Sequence, residues 1–245
     1  MIDPEDRYPA QPPAGPWVMA QRWNDLLFAH WRCPIEDLRP LVPAPLEIET
    51  YEGSAWISVT PFYMSGVRMR AAPPVPTATA FEELNVRTYV TLDGRPGIWF
   101  FSLDCASFLA VVGARVGIYL PYFHASMRMT RKDGTIEYDS QRISSDGPPA
   151  AFSATYRGVG APAISAPGTL EHFLTERYSL YASPDNQRLW RGDIYHARWS
   201  LQAAEARIDT NTMIIAAGIR SAADAPLLQF SAFQDVRVWW PVRVR

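Results

Sequence analysis

Glu83-Leu84-Asn85-Val86-Arg87-Thr88-Tyr89-Val90, turned at Asp93-Gly94 and returned through Ile98-Trp99-Phe100-Phe101-Ser102-Leu103-Asp104, reads as a β-hairpin. Leu84, Val86, Thr88 and Val90 alternate with Glu83, Asn85, Arg87 and Tyr89, the period of two that a strand imposes. Asp-Gly suits the tight turn between two twisted strands. Two readings of the polar row are open. It is wetted by solvent, or it lines an internal cavity while the apolar row packs beneath helices. In the second case the Glu83 carboxylate pairs with the Arg87 guanidinium and keeps its charge. Such a pair orients a substrate carboxylate or takes a proton from a carbon acid.

Outward from this hairpin the chain continues mainly as strands. Arg22–Trp31 and Ser54–Tyr63 fit strands. Between them Pro34-Ile35-Glu36-Asp37-Leu38 fits a short helix, with proline first, acids following, and an end before Pro40. A proline-rich loop spans Ala71–Pro76. Ser107–Val116 has helical spacing of Leu109, Val112 and Val116. Phe123–Ile143 forms a second hairpin about Asp133-Gly134, and Thr169–Tyr178 an N-capped helix. Ile208–Ile219 and Leu228–Trp239 are read as further strands. Residues 1–16, with five prolines, form an extended arm. Residues 17–245 contain no repeat and no linker, so one domain is expected: α+β, mostly β, on a large curved or closed sheet.

The 245 residues are 48% apolar and 20% charged, an ordinary globular balance, and a net charge of -2 argues against a nucleic-acid partner. No apolar run reaches the roughly 18 residues of a membrane span. The acidic, proline-rich start has no apolar signal core, so a cytoplasmic location is expected. Cys33 and Cys105 lack ligand spacing and are read as buried thiols. His30, His124, His172 and His196 show no H-x-x-x-H or H-x-H pattern, so no metal is expected, and His30 and His196 are read as structural or pocket histidines. Nucleophile elbow, P-loop and dinucleotide fingerprint are all missing, and no cofactor is expected. The oligomeric state is not fixed by the sequence, which is compatible with a homo-oligomer.

Of 23 basic residues 22 are arginine, and the one lysine, Lys132, falls on the second hairpin's turn. An amine that forms an imine must sit in a pocket that lowers its pKa, which a wet turn does not do.

Several stretches together resemble one family. They are Trp23-x-x-Leu26-Leu27-Phe28-Ala29-His30-Trp31, Leu41-Val42-Pro43-Ala44-Pro45-Leu46-Glu47, Glu83–Val90, Gly97–Asp104, and Ala114-Arg115 through Leu120-Pro121-Tyr122. The chain is similar to the YqjF-like group of the acetoacetate-decarboxylase-like superfamily from Trp17 onward. That resemblance implies a cone-like closed antiparallel β-sheet around a pocket, with a few flanking helices. It places the superfamily's imine-forming lysine and its neighbour on Tyr122 and Phe123, and its active-site glutamate on Glu83. The N-terminal active-site arginine falls near Asn24, with Arg22 two residues away on the same strand face. A second carboxylate falls around Ser58, where no acid stands.

The function expected from these readings is binding of a small carbonyl- or carboxylate-bearing molecule, without Schiff-base decarboxylation. Arg87 would grip an anionic or carbonyl oxygen, Glu83 would act as base or acceptor, and Tyr122 would occupy the lysine position. Arg22, Asn85, Tyr89, Phe123 and His124 would complete the ligand site. The alternative is a lysine-independent acid–base enzyme acting next to a carbonyl through Glu83 and Arg87.

Overall fold

The computed structural model of the chain describes residues 6–9, 11–73, 78–112, 119–220 and 225–245. Parts of the loop expected at Ala71–Pro76 and of the helix expected at Ser107–Val116 lie outside those residues. The strands are β1 (Met19–Cys33), β2 (Glu47–Ile48), β3 (Ala55–Met69), β4 (Phe81–Leu92), β5 (Arg95–Cys105), β6 (Tyr122–Lys132) and β7 (Thr135–Arg142). They continue as β8 (Ala151–Ala163), β9 (Ser179–Ala182), β10 (Trp190–Tyr195), β11 (Leu201–Asn211), β12 (Leu227–Val238) and β13 (Val242–Arg243). Short helices α1 (Ile35–Leu38), α2 (108–112), α3 (Leu170–Thr175) and α4 (Met213–Ala216) flank them. Among the described residues no helix is long and apolar enough to cross a membrane.

All thirteen strands belong to one sheet. Four of them, β4, β5, β10 and β12, each pair with three others, and the forks of β5 and β12 close the sheet. The free edge of β5 pairs with β9 at Ile98–Trp99 and with β6 at Leu103–Cys105, both in parallel. The free edge of β12 pairs with β11 at Gln229–Phe230 and with β10 at Arg237–Val238. The sheet therefore closes on itself twice. One ring runs β4-β5-β6-β7-β8-β11-β12-β1-β3, and the other β4-β5-β9-β10-β12-β1-β3. Strands β12, β1, β3, β4 and β5 are common to both, so each has one face in either ring.

This shared wall explains the burial pattern. Leu27, Ile57, Val86, Tyr138, Phe152 and Tyr156 fill the larger ring as one core. Leu26, Phe28, Phe62, Met64, Phe100 and Leu103 face the smaller one. Each such side chain adds roughly 1.5–3 kcal/mol on burial, and the shared strands collect that gain on both faces.

Alternation along the wall is corrected by bulges. In β5 the register to β4 slips between Phe100 and Ser102, so Phe101 is extra and both Phe100 and Leu103 face the smaller ring. In β1 the register to β3 slips after Asn24, beside Asp25 with a φ of 53°. Trp23 and Leu26 thereby share a face. The carbonyl that the bulge leaves at Asp25 accepts from the Tyr156 hydroxyl at 2.9 Å, reaching across from the larger core.

Two sequence expectations are corrected. Thr169 does cap a helix, accepting from the His172 N–H, but the helix ends at Thr175. Ile208–Ile219 is not one strand: β11 stops at Asn211 and Met213–Ala216 is helical.

Candidate functional site

The smaller ring holds a cavity of about 80 Å³. Strand β4 contributes Glu83, Asn85 and Arg87, alternate residues on one face. Beside them on the same wall stand Thr60, Phe62 and Met64 of β3, Trp23 and Leu26 of β1, and Phe100 and Leu103 of β5. Tyr122, the first residue of β6, enters beside Glu83 because β6 pairs with the end of β5. The end of α3 with the segment that follows it, and the segment after β10, close the wall with Thr175, Arg177, His196 and Trp199.

Glu83 is 3% exposed and accepts a hydrogen bond from the Tyr122 hydroxyl at 3.1 Å. Burial pushes its carboxyl up to about 8, against the smaller opposing effect of Tyr122. Glu83 therefore carries its proton at neutral pH. Burial and the neighbouring Glu83 likewise hold the Tyr122 phenol well above its ordinary range. The Glu83 carbonyl is fixed from behind by the Tyr138 hydroxyl at 2.8 Å.

Arg87 is 6% exposed, and its guanidinium lies 5.4 Å from the centroid of the Phe28 ring. It meets no carboxylate among the described residues, and its Nε has no hydrogen-bond partner. Burial pulls its pKa down, opposed by the Tyr89 hydroxyl beside it. Arginine remains charged at neutral pH even so. Arg177 is the instructive contrast. It is equally buried, but its Nε and Nη2 donate to the Phe173 carbonyl at 2.8 and 2.6 Å and its Nη1 meets Glu49.

The histidines here are neutral. His196 Nδ1 lies 2.7 Å from the Ala197 carbonyl, an acceptor only, so that nitrogen carries the hydrogen. Burial pulls the ring down to about 4. His30 sits deeper, its Nδ1 3.0 Å from the Tyr89 hydroxyl, and burial takes it to about 3.

Of the residues singled out in the sequence, the fold brings Glu83, Asn85, Arg87 and Tyr122 to one cavity. Glu83 and Arg87 do not pair: Glu83 is neutral and bonded to Tyr122, and among the described residues no carboxylate neutralises Arg87. Tyr89 shares their face but lies behind Arg87, under the Arg177 guanidinium 5.0 Å from its ring. Three residues fall elsewhere. Arg22 points outward, opposite Trp23 in the alternation, and forks onto Asp235 at 2.7 and 2.8 Å. Phe123 alternates with Tyr122 and faces the outside of the ring, where Arg142 lies over it at 4.0 Å. His124 packs against Phe108 at 5.6 Å. Thr175, Arg177 and Trp199 had no signal in the sequence, because the long-range pairings of β9 with β5 and of β10 with β12 bring their segments in.

Among the described residues no group of three or more histidine, cysteine or acidic side chains is placed to hold a metal ion. The cavity instead offers a fixed cation, a neutral acid hydrogen-bonded to a phenol, and a neutral imidazole. That set suits an anionic or carbonyl oxygen at Arg87 and a second acceptor at Glu83.

Solved structures share this architecture. An acetoacetate decarboxylase from Legionella pneumophila superposes with a TM-score of 0.65 at 13% identity, over 98% of this chain and 94% of that one. An acetoacetate decarboxylase-like enzyme from Sphingomonas wittichii RW1 gives 0.63 at 14% identity, covering 94% of both chains. The enduracididine biosynthesis enzyme MppR complexed with pyruvate gives 0.64 at 12%, over 95% and 91%. At these identities the likeness concerns the fold alone. In sequence the chain is 48% identical over 231 residues to the uncharacterized protein YqjF of Bacillus subtilis (strain 168), covering 94% of each. Residues 20–235 match the DUF2071 family, described as an uncharacterized conserved protein, and the chain belongs to that family.

Proposed function

We propose that the chain binds a small carbonyl- or carboxylate-bearing molecule in the cavity of the smaller ring, without Schiff-base chemistry. The observation that carries this reading is Arg87, a buried cation facing a cavity with no carboxylate beside it among the described residues. A buried charge without a counterion costs several kcal/mol, and a bound anion removes that cost. Glu83 supports the same conclusion. Being neutral, it neither pairs with Arg87 nor repels an anion, and its proton offers a second oxygen a hydrogen bond. The structural neighbour MppR is complexed with pyruvate, a molecule of this class. Schiff-base chemistry lacks its amine, since Tyr122 lines the cavity where the resemblance puts lysine and Lys132 is at the far end of β6.

Thermal-shift titration with pyruvate, acetoacetate, short aldehydes and aromatic acids tests the reading. A ligand at about 100 times its dissociation constant adds about 2.7 kcal/mol of stability. The shift should be present in the wild type and lost in Arg87→Gln. No shift with any of the four classes would overturn the proposal.

One observation favours acid–base catalysis as a second reading. A carboxyl held near 8 and hydrogen-bonded to a phenol is poised to move protons close to neutrality. The matching reactions are enolisation, hydration or elimination next to a carbonyl. Deuterium exchange into the pyruvate methyl group, followed by NMR, should occur in the wild type and vanish in Glu83→Gln while binding persists. Equal loss of binding and exchange would count against Glu83 as the base.

A further inference from the structure

Residues 6–8 of the proline-rich arm lie against the outer side of the cavity's end wall, and each is held there. Asp6 accepts from both terminal nitrogens of Arg198, one of them at 2.9 Å. Arg7 forks onto Glu49 at 3.1 and 3.2 Å, and its backbone N–H donates to His172 Nε2 at 3.2 Å. The Tyr8 hydroxyl meets that of Tyr195 at 3.0 Å, and the Arg198 guanidinium lies 4.6 Å from the Tyr8 ring centroid.

Behind these contacts stand residues that line the cavity. Glu49, gripped by Arg7, is also the counterion of Arg177. The Tyr8 ring meets Tyr178 edge-on at 5.6 Å, and Tyr178 stacks on His196 at 4.5 Å. Both Arg177 and His196 face the cavity. From solvent inward, the wall is arm, Tyr178, His196, cavity.

We propose that Asp6, Arg7 and Tyr8 of the arm form a strap that closes this end of the cavity. Docked, it positions Arg177 and His196; released, it gives small molecules a path past Tyr178. The proposal rests on the reading of the cavity as a ligand site. Two features make release local. The arm's ion pairs are partly exposed, which keeps each one modest and the docking reversible. Glu49 also stays with Arg177 when Arg7 leaves, so no buried cation is orphaned and the wall keeps its core contacts.

Carbethoxylation by diethyl pyrocarbonate, read histidine by histidine through peptide mass spectrometry, tests the strap with no ligand present. The reagent attacks neutral imidazole, and three histidines report on three things. His172 touches the arm directly, His196 lies behind Tyr178, and His30 is buried with no contact to the arm among the described residues. In Asp6→Ala/Tyr8→Ala, and in a chain lacking residues 2–8, His172 and His196 should react faster by roughly ten-fold or more. His30 should keep its wild-type rate. Unchanged His196 in the shortened chain overturns the proposal. So does an equal rise at His30 in both variants, which would make the arm a general stabiliser of the fold. Failure of every oxo acid to bind would leave this result standing, so the two readings fail separately.

Discussion

At the scale of single residues, Glu83 and Arg87 show what alternation can and cannot tell. Their common face and its polar character are legible in Glu83–Val90. Their relation is not. Four positions apart on an extended strand, they are too far apart to pair, and each takes its state from residues that the hairpin does not contain. Tyr122 reaches Glu83 from β6, and among the described residues nothing anionic reaches Arg87. The state of Glu83 has a measurable consequence. Burial lifts its carboxyl from 4.5 to about 8. Between those values the folded chain keeps a proton that the unfolded chain has released. The stability linked to that proton is therefore complete below the unfolded value and is lost as pH rises towards the folded one. Glu83→Gln cannot titrate. From about pH 5 to about pH 8 the wild type should lose stability relative to this variant, by at most about 1.4 kcal/mol per pH unit. Urea melts at both ends of that range decide the matter. A difference between wild type and variant that stays constant across that range would mean Glu83 is ionised in the fold.

At the scale of elements, the hairpins were readable because each turn and its flanking alternation lie within one short stretch. The bulges were not. Phe101 and Asp25 each reset which residues face inward, and neither carries a glycine to announce it. The same limit misread Ile208–Ile219, since a short apolar run such as Met213-Ile214-Ile215 fits strand and helix equally. Gly97 marks a third such place. It lies on β5 just before the fork, where β9 adds in parallel at Ile98–Trp99. A Cβ at Gly97 would come within 2.6 Å of the Ser179 carbonyl oxygen and of the Tyr181 ring. Backbone cannot yield as a flexible side chain can. Gly97→Ala should therefore cost about 1–3 kcal/mol by forcing β9 off β5. Gly192→Ala on β10 is the control, because its nearest neighbour would be the Leu180 carbonyl oxygen at 3.9 Å. Chemical denaturation should separate the two. Equal stability would show that β9 is not held close by the missing side chain.

At the scale of the molecule, a strand-rich closed fold follows from the run of alternating segments, but its double closure does not. Closure depends on β5 and β12 each pairing with two strands along one edge, and no local pattern records partners as distant as Leu180 for Ile98 or Val238 for Ile194. The forks nevertheless explain why a chemically polar row such as Glu83-Asn85-Arg87 stands inside the protein. The wall it belongs to is interior on both sides. This arrangement has a consequence for unfolding. The two rings share β12, β1, β3, β4 and β5, so neither can open without stripping one face of all five strands. No boundary exists along which the strands could separate into independently stable units. Chains above about 150 residues commonly unfold in stages. This one, with 245 residues, should instead unfold in a single calorimetric transition. At roughly 0.7 kcal/mol per residue its enthalpy should be near 170 kcal/mol at about 60 °C, with van't Hoff and calorimetric values in agreement. Two resolved transitions, or a van't Hoff enthalpy near half the calorimetric one, would show that the rings are separable. The five shared strands would then not bind them into one cooperative unit.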